Sequence, residues 1–118
     1  MLSRNDLLAI AKLENCPDKV RFFTAMFRSN DYYFLLHVIG ATKGFNRDEW
    51  KEMGPLLLEI LERDNVSQYH WYEAARALGY GGLKDKAVLK LNEHLKSSNQ
   101  GQQSKAKYAL ERLGLLGQ

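Results

Sequence analysis

Hydrophobic residues recur every three or four positions along almost the whole chain, which is the spacing of one face of an α-helix. In one clear example, Trp50, Met53, Leu57 and Leu61 share a helical face, and Lys51, Glu52 and Glu59 are among the residues between them. The alternation of single apolar and polar residues that marks a β-strand is missing. The pattern therefore predicts an all-α fold with seven helices: one carrying residues 7–13, then 18–28, 33–44, 47–63, 68–79, 84–96 and 103–115.

Polar residues and helix breakers between these stripes predict where the helices begin and end. Ser3 or Asn5, Asn46 and Ser67 each precede an apolar run and suit N-cap positions. The segments 15–18 and 29–31 interrupt the first two helices, and Gly79, Gly81 and Gly82 are suited to stopping the fifth.

A Gly54-Pro55 pair falls inside the predicted helix 47–63. Proline removes a backbone donor and its ring clashes with the preceding turn. The pair therefore predicts either a kink or a new helix start at Pro55.

An internal repeat joins the middle of the chain to its end. The stretch WYEAARALGYGG, residues 71–82, resembles AKYALERLGLLG, residues 106–117, when Leu78 is aligned with Leu113, 35 residues later. A fainter copy, LLHVIGATKG, places Ile39-Gly40 at a step of 39 residues before Leu78-Gly79. Steps of this size are typical of stacked helical repeats, so we expect Leu78 to be buried between helix pairs.

The chain from Pro55 to Leu95 resembles a HEAT repeat of the short type named for bilin lyases. The shared features are a proline-led helix, an Asp-Asn turn, the Ala-Ala-x-Ala-Leu-Gly helix and an Ala-Val-x-x-Leu helix, and the resemblance extends to residue 117. It implies a short α-solenoid of about three antiparallel helix pairs plus a seventh helix. Such repeats carry a Val-Arg pair that links units, whereas this chain has His70-Trp71 and Lys105-Ala106 there.

Composition bounds the class of protein. The 118 residues fit one domain, and 45% hydrophobic with 26% charged residues is ordinary for a globular chain. Cys16 is the single cysteine, which excludes an internal disulfide, and the first 15 residues resemble neither a signal peptide nor a membrane span. We therefore expect a cytoplasmic protein.

No residue pattern predicts catalysis, a cofactor or a metal. His37, His70, His94 and Cys16 have no ligand spacing, and no phosphate-binding glycine motif occurs. His70 is predicted to be a buried, hydrogen-bonded core residue. Four consecutive aromatic positions, 69–72, cannot all face one pocket on a helix, although Tyr72 can lie under Arg76.

The remaining candidate is a binding surface. The resemblance implies that the second helix of each pair lines the concave side, where partners dock. Outward residues there include Lys19 and Arg28, and the candidate partner-binding set is Lys51, Glu52, Glu59, Lys86, Lys90 and Glu93. The mixture of signs favours a protein partner over a phosphate backbone.

Two other hypotheses stay open. The net charge is +3, and residues 65–118 carry a +4 excess, so the basic C-terminal half could bind nucleic acid. An enzyme or bilin-handling protein would rest on family analogy alone. An apolar stripe of Ala109, Leu110, Leu113 and Leu116 in the last helix also predicts a weak homodimer through residues 103–116.

Overall fold

A computed structural model describes residues 3–14, 16–28 and 31–116. Within these residues the fold is all-α, as predicted, and contains no strand. The helices are α1 Arg4–Ala11, α2 Lys19–Phe27, α3 Tyr32–Ala41, α4 Arg47–Ile60, α5 Gln68–Tyr80, α6 Lys84–Leu95 and α7 Gln100–Arg112. A 3₁₀ turn, Thr42–Gly44, follows α3. Asn15, Ser29, Asn30 and Gly117, which figured in the predicted breaks and the repeat, lie outside the described residues.

The predicted N-caps are confirmed. Ser3 and Asn46 each form a reciprocal capping box with an acidic residue three positions later. Ser67 forms a box with His70 instead. Helix α7 begins at Gln100, three residues earlier than predicted, because the Asn99 side chain accepts a hydrogen bond from the Gln102 backbone amide.

Helix α4 is continuous through Gly54 and Pro55, so the predicted alternative of a new helix start at Pro55 is wrong. Pro55 lies on the exposed side of the helix, whereas Gly54 is buried. A Cβ atom on Gly54 would lie 2.5 Å from Leu83 Cδ1, so the glycine lets the loop between α5 and α6 pack closely on α4. Gly54 is thus explained by its close contact with Leu83, and Pro55 is tolerated on the exposed side of the helix.

The seven helices form two layers. Helices α1, α3, α5 and α7 pack in sequence to form an odd layer, while α2, α4 and α6 lie against them as an even layer. One contiguous cluster of buried side chains fills the space between the layers. The molecule measures 43 × 27 × 19 Å, the elongated shape of a short stack.

Polar links between successive units come from residues other than the missing arginines. Lys19 Nζ donates to the carbonyl oxygens of Ala11 and Leu13 and lies 2.7 Å from Glu49 Oε2, which joins α1, α2 and α4. Arg63 Nη2 donates to the Phe27 carbonyl oxygen over 2.9 Å, and Lys105 Nζ donates to that of Asp64 over 2.8 Å. These links satisfy carbonyl groups at helix ends and in the intervening turn.

The two C-terminal repeat copies, α5 and α7, end in the same backbone geometry. Gly82 and Gly114 both have positive φ, +75° and +71°, and each follows a helix of 13 residues. In each copy the second residue after the cap donates back to the helix over 2.8 Å, Leu83 to Leu78 and Leu115 to Leu110. This Schellman geometry aligns Leu78 with Leu110.

The predicted step of 35 residues from Leu78 to Leu113 is therefore wrong, and the structural step is 32. The N-caps Ser67 and Asn99 are also 32 residues apart. The N-caps of α3 and α5, Asp31 and Ser67, are 36 apart, which likewise replaces the predicted step of 39. The prediction that Leu78 is fully buried is confirmed.

Candidate functional site

A cleft opens on the even layer between α4, the C-terminal end of α5 and the start of α6. Its volume is about 590 Å³, within the usual range for ligand and peptide-anchor sites. The main lining side chains comprise a group of apolar and aromatic residues and three cations: Phe45, Trp50, Pro55, Leu58, Tyr80, Leu83, Arg47, Lys51 and Lys86. We call it the α4–α6 cleft.

The cleft exists because glycines bring backbone close to an aromatic floor. Trp50 is nearly buried and meets Phe45 edge to face, with ring centroids 5.7 Å apart. A Cβ atom on Gly81 would lie 2.4 Å from the Trp50 ring, so any larger residue there would displace the indole. The Schellman turn after α5 is followed by Leu83, which packs against Gly54 of α4 and lines the cleft just before α6 begins.

The electrostatics of the α4–α6 cleft are one-sided. Arg47, Lys51 and Lys86 line it, and no carboxylate does so among the described residues. Lys51 Nζ lies 3.7 Å from Asp48 Oδ1, but both side chains are largely exposed, so this pair neutralises Lys51 only weakly. The α6 N-cap, Leu83, offers no side-chain acceptor to the first amides of that helix. The site is therefore suited to an anionic group attached to an apolar one.

The structure brings together two of the six predicted partner-binding residues, Lys51 and Lys86. Glu52 and Glu59 are exposed on α4, roughly a third of a turn around the helix from the cleft-lining residues. Glu93 is exposed two turns along α6 from Lys86 and does not line the cleft. Glu52 and Glu59, which we call the acidic strip, therefore lie outside the cleft that Lys51 and Lys86 line.

Lys90 has an intramolecular role that the sequence did not reveal. Its ammonium forms a salt bridge with Glu62, which joins α6 to the residues just after α4. This hydrogen bond raises the pKa of Lys90 above the ordinary lysine value of 10.5. Lys90 thus lies at the surface of α6, but its ammonium is paired with Glu62 and the residue does not line the cleft.

Lys19 was also expected to face outward, and this is wrong, since its side chain is only 2% exposed. Helical periodicity alone places Lys19 on the polar side of α2. The end of α1 covers that side, and its carbonyl groups provide the acceptors that make burial of the ammonium tolerable.

The histidine and aromatic predictions have mixed outcomes. His70 is fully buried, and its Nδ1 accepts a hydrogen bond from the Ser67 backbone amide, as predicted. His94 lies against Trp71, with ring centroids 4.5 Å apart, and its Nε2 lies 2.7 Å from the Leu61 carbonyl oxygen. Tyr72 is covered by Arg112 at 4.9 Å, not by Arg76, which pairs with Glu73.

Two classes of site find no support within the described parts of the chain. No group of three His, Cys, Asp or Glu side chains there could hold a metal ion. No helix in the same ranges is long and apolar enough to cross a membrane.

Sequence reasoning missed part of the α4–α6 cleft. The sequence analysis placed Arg47 only at the start of a helix and Trp50 only on its apolar face, and it gave Phe45 and Tyr80 no role. These residues belong to three separate parts of the chain, and no local sequence pattern predicts that they converge. The one available signal was the glycine group after α5, which marks a place where backbone approaches another element closely.

Comparisons with protein-family models, with curated protein sequences and with solved structures find no match to this chain. The resemblance to HEAT repeats therefore rests on the residue pattern given above and stays a prediction.

Proposed function

We propose that the protein is a non-enzymatic interaction module that binds another protein through the even layer. The observation that carries this proposal is the α4–α6 cleft, which gathers Arg47, Lys51 and Lys86 around an apolar floor. An acidic segment with one aromatic or aliphatic side chain satisfies both features. Its side chain would cover Trp50 and its carboxylates would meet the three cations.

The surroundings of the cleft favour a peptide over a nucleic acid at this site. Glu52 and Glu59 are exposed on α4, so an extended phosphate backbone leaving the cleft over that helix meets two carboxylates. A short segment that enters the cleft from solvent avoids them. A protein partner with complementary charge could also place basic residues on this acidic strip.

The HEAT-like resemblance supports the same surface, because it implies that the helices of the even layer are those that contact partners. We also propose that the module works in the cytoplasm. Cys16 is a free thiol, so the described fold needs no oxidising compartment.

A peptide-display selection followed by affinity measurement tests the proposal. We expect the selected peptides to combine Asp or Glu with one aromatic or aliphatic residue. Lys86→Glu should weaken their binding by about tenfold or more, equivalent to ~1.4 kcal/mol. Lys84→Glu is the matched control, because Lys84 is exposed on α6 and carries the same charge but does not line the cleft.

Two results would reject this function. One is equal loss of binding in the Lys86→Glu and Lys84→Glu variants, which would indicate general attraction to a positive protein. The other is submicromolar binding of DNA or RNA at about 150 mM salt that Lys51→Glu and Lys86→Glu abolish. That outcome would make the cleft a nucleic-acid site.

A further inference from the structure

A second surface, on the odd layer, has a different composition. The chain's six tyrosines all fall within α3, α5 and α7. Three adjoining hollows cross α1, α3, α5 and α7, and all three are lined by Arg4 and Gly40. The largest, of about 370 Å³, is also lined by Tyr69, Tyr72 and Tyr108. We call this continuous surface the tyrosine groove.

The small residues of the odd layer keep the groove open. Gly40 lines all three hollows, and a Cβ atom placed on it would meet nothing within 4 Å. Buried alanines on α5 and α7 let the helix axes approach closely, so the wider space lies above them at the surface. The groove therefore runs across the helices and is not confined to one helix pair.

The charges in the tyrosine groove are mostly positive. Among the residues that the structure describes, four cations line it, Arg4, Lys43, Arg76 and Arg112, against one carboxylate, Glu73. Glu73 Oε1 lies 3.7 Å from Arg76 Nη1, so its charge is partly offset. Arg76 also hydrogen-bonds Tyr80, which raises the pKa of its guanidinium and keeps it charged.

Aromatic rings alternate with these cations. Tyr69 meets Tyr108 edge to face at 5.4 Å, and Arg112 lies over Tyr108 at 5.8 Å. Tyr69 and Tyr80 are 53% and 59% exposed, so their rings are available for stacking by a ligand. Exposed flat rings beside arginines are what unpaired bases and their phosphates require, whereas carboxylates of an acidic peptide would use the cations alone.

From this juxtaposition we infer that the tyrosine groove binds single-stranded nucleic acid, with phosphates at the arginines and lysine and bases stacked on the tyrosine rings. The groove lies mainly on the odd layer, whereas the α4–α6 cleft opens on the even layer, and Tyr80 at the end of α5 lines both. The inference does not rest on the proposed protein-binding function. A regular duplex is disfavoured, because its bases stack on each other and cannot cover Tyr69 and Tyr80.

Fluorescence anisotropy with labelled oligouridine of about 10 nucleotides, within the ~4–16-nucleotide sites of single-strand binders, tests the inference. Three or four phosphate contacts should give a slope of log K against log salt of about −2 to −3. A duplex of equal length should bind more weakly, and polyglutamate should compete poorly.

Charge and ring variants locate the site. Arg112→Glu should weaken oligouridine binding about tenfold and make the salt slope shallower by roughly 0.7. Lys107→Glu is its matched control, being an exposed cation of α7 that lines none of the hollows. Tyr69→Ala should weaken binding about fivefold or more, while Tyr69→Phe, which keeps the ring, should not.

Circular dichroism of each variant checks that it is folded. If Tyr69→Ala does not fold, Arg112→Glu still tests the inference. The inference fails if oligouridine does not bind at low salt, or if Arg112→Glu and Lys107→Glu lose affinity equally. It also fails if polyglutamate competes as well as oligouridine, or if binding depends on Lys86 and not on Arg112. The last result would instead place the nucleic acid in the α4–α6 cleft.

Discussion

At the scale of single residues, Lys19 shows how a charged side chain can belong to the core. Its ammonium is held by two carbonyl groups at the end of α1 and by Glu49 at the start of α4. The Phe45 ring lies 5.8 Å from the same nitrogen. One side chain thus connects three elements, which explains why a residue on the polar side of an amphipathic helix is buried.

We predict that Lys19→Met destabilises the fold by about 3–5 kcal/mol, because it leaves the Glu49 charge and two carbonyl groups without their partner. Chemical denaturation measures this loss. Arg21→Met, on the same helix, is the control and should change stability by less than about 0.5 kcal/mol, since Arg21 is 88% exposed. Similar losses in both variants would mean that Lys19 is not anchored as described.

The periodicity of the sequence could not reveal this role. Within the predicted helix 18–28 the apolar spacing places Phe23 and Phe27 on one face, and both are in the core, because burial of one helical face follows from local spacing. Whether the other face meets solvent depends on which element lies above it. The end of α1 covers Lys19 because of tertiary packing, which the spacing of residues within α2 does not predict.

At the scale of elements, the ends of α5 and α7 determine how the repeat is built. Both helices span 13 residues, and the second residue beyond each end is a glycine at positive φ that is followed by a leucine. The sequence comparison aligned Leu78-Gly79 with Leu113-Gly114 because these pairs look alike. Gly79, however, is the second-last residue of its helix, whereas Gly114 lies beyond the end of its own.

Three glycine substitutions distinguish the two alignments. Gly82→Ala and Gly114→Ala should each destabilise the fold by about 1–2 kcal/mol, because a side chain makes positive φ unfavourable. Gly79→Ala should instead be neutral or stabilise by up to about 1 kcal/mol, since alanine is a better helix former and has room there. Thermal or chemical unfolding of the three variants measures this. Destabilisation by Gly79→Ala that matches Gly114→Ala would restore the step of 35 residues.

The elements themselves were largely predictable, and their precise ends were less so. Ser3, Asn46 and Ser67 identified three helix starts because a side-chain oxygen beside free backbone amides is a local feature. The first turn of α7 was missed, because Gln100 and Gly101 look like loop residues. The Asn99 cap and the Gln102 contact with Asp64 hold that turn in the helix, the latter over 3.0 Å.

At the scale of the whole molecule, the two layers present different surfaces. The even layer has a cationic, apolar-floored cleft beside an acidic strip, and the odd layer has tyrosines with cations. Charge counts along the sequence average over both layers, so they indicated only a weakly basic protein. Lys51 and Lys86 were found from the sequence because both are outward on their own helices. Their convergence with Arg47 required knowing how α4 and α6 are placed.

Whether the protein self-associates through α7 depends on how much of the apolar stripe of that helix is exposed. The sequence predicted a weak homodimer through residues 103–116, because that stripe had no evident cover. In the structure Ala109 and Leu110 are fully buried against α5 and α6, and Leu113 is half-buried. Leu116, at 41% exposure, is the one large hydrophobic residue that remains exposed in the described part of that segment.

A single exposed leucine is ordinary for a monomeric protein and does not form a patch of interface size. We therefore predict a 13.6 kDa monomer at high micromolar concentration, measured by light scattering coupled to size-exclusion chromatography. Leu116→Glu should leave the mass unchanged, as should Leu89→Glu, the control on α6, where Leu89 is 62% exposed. A mass that rises with concentration and falls back in Leu116→Glu alone would establish the dimer through residues 103–116, because only that variant alters the exposed end of the stripe.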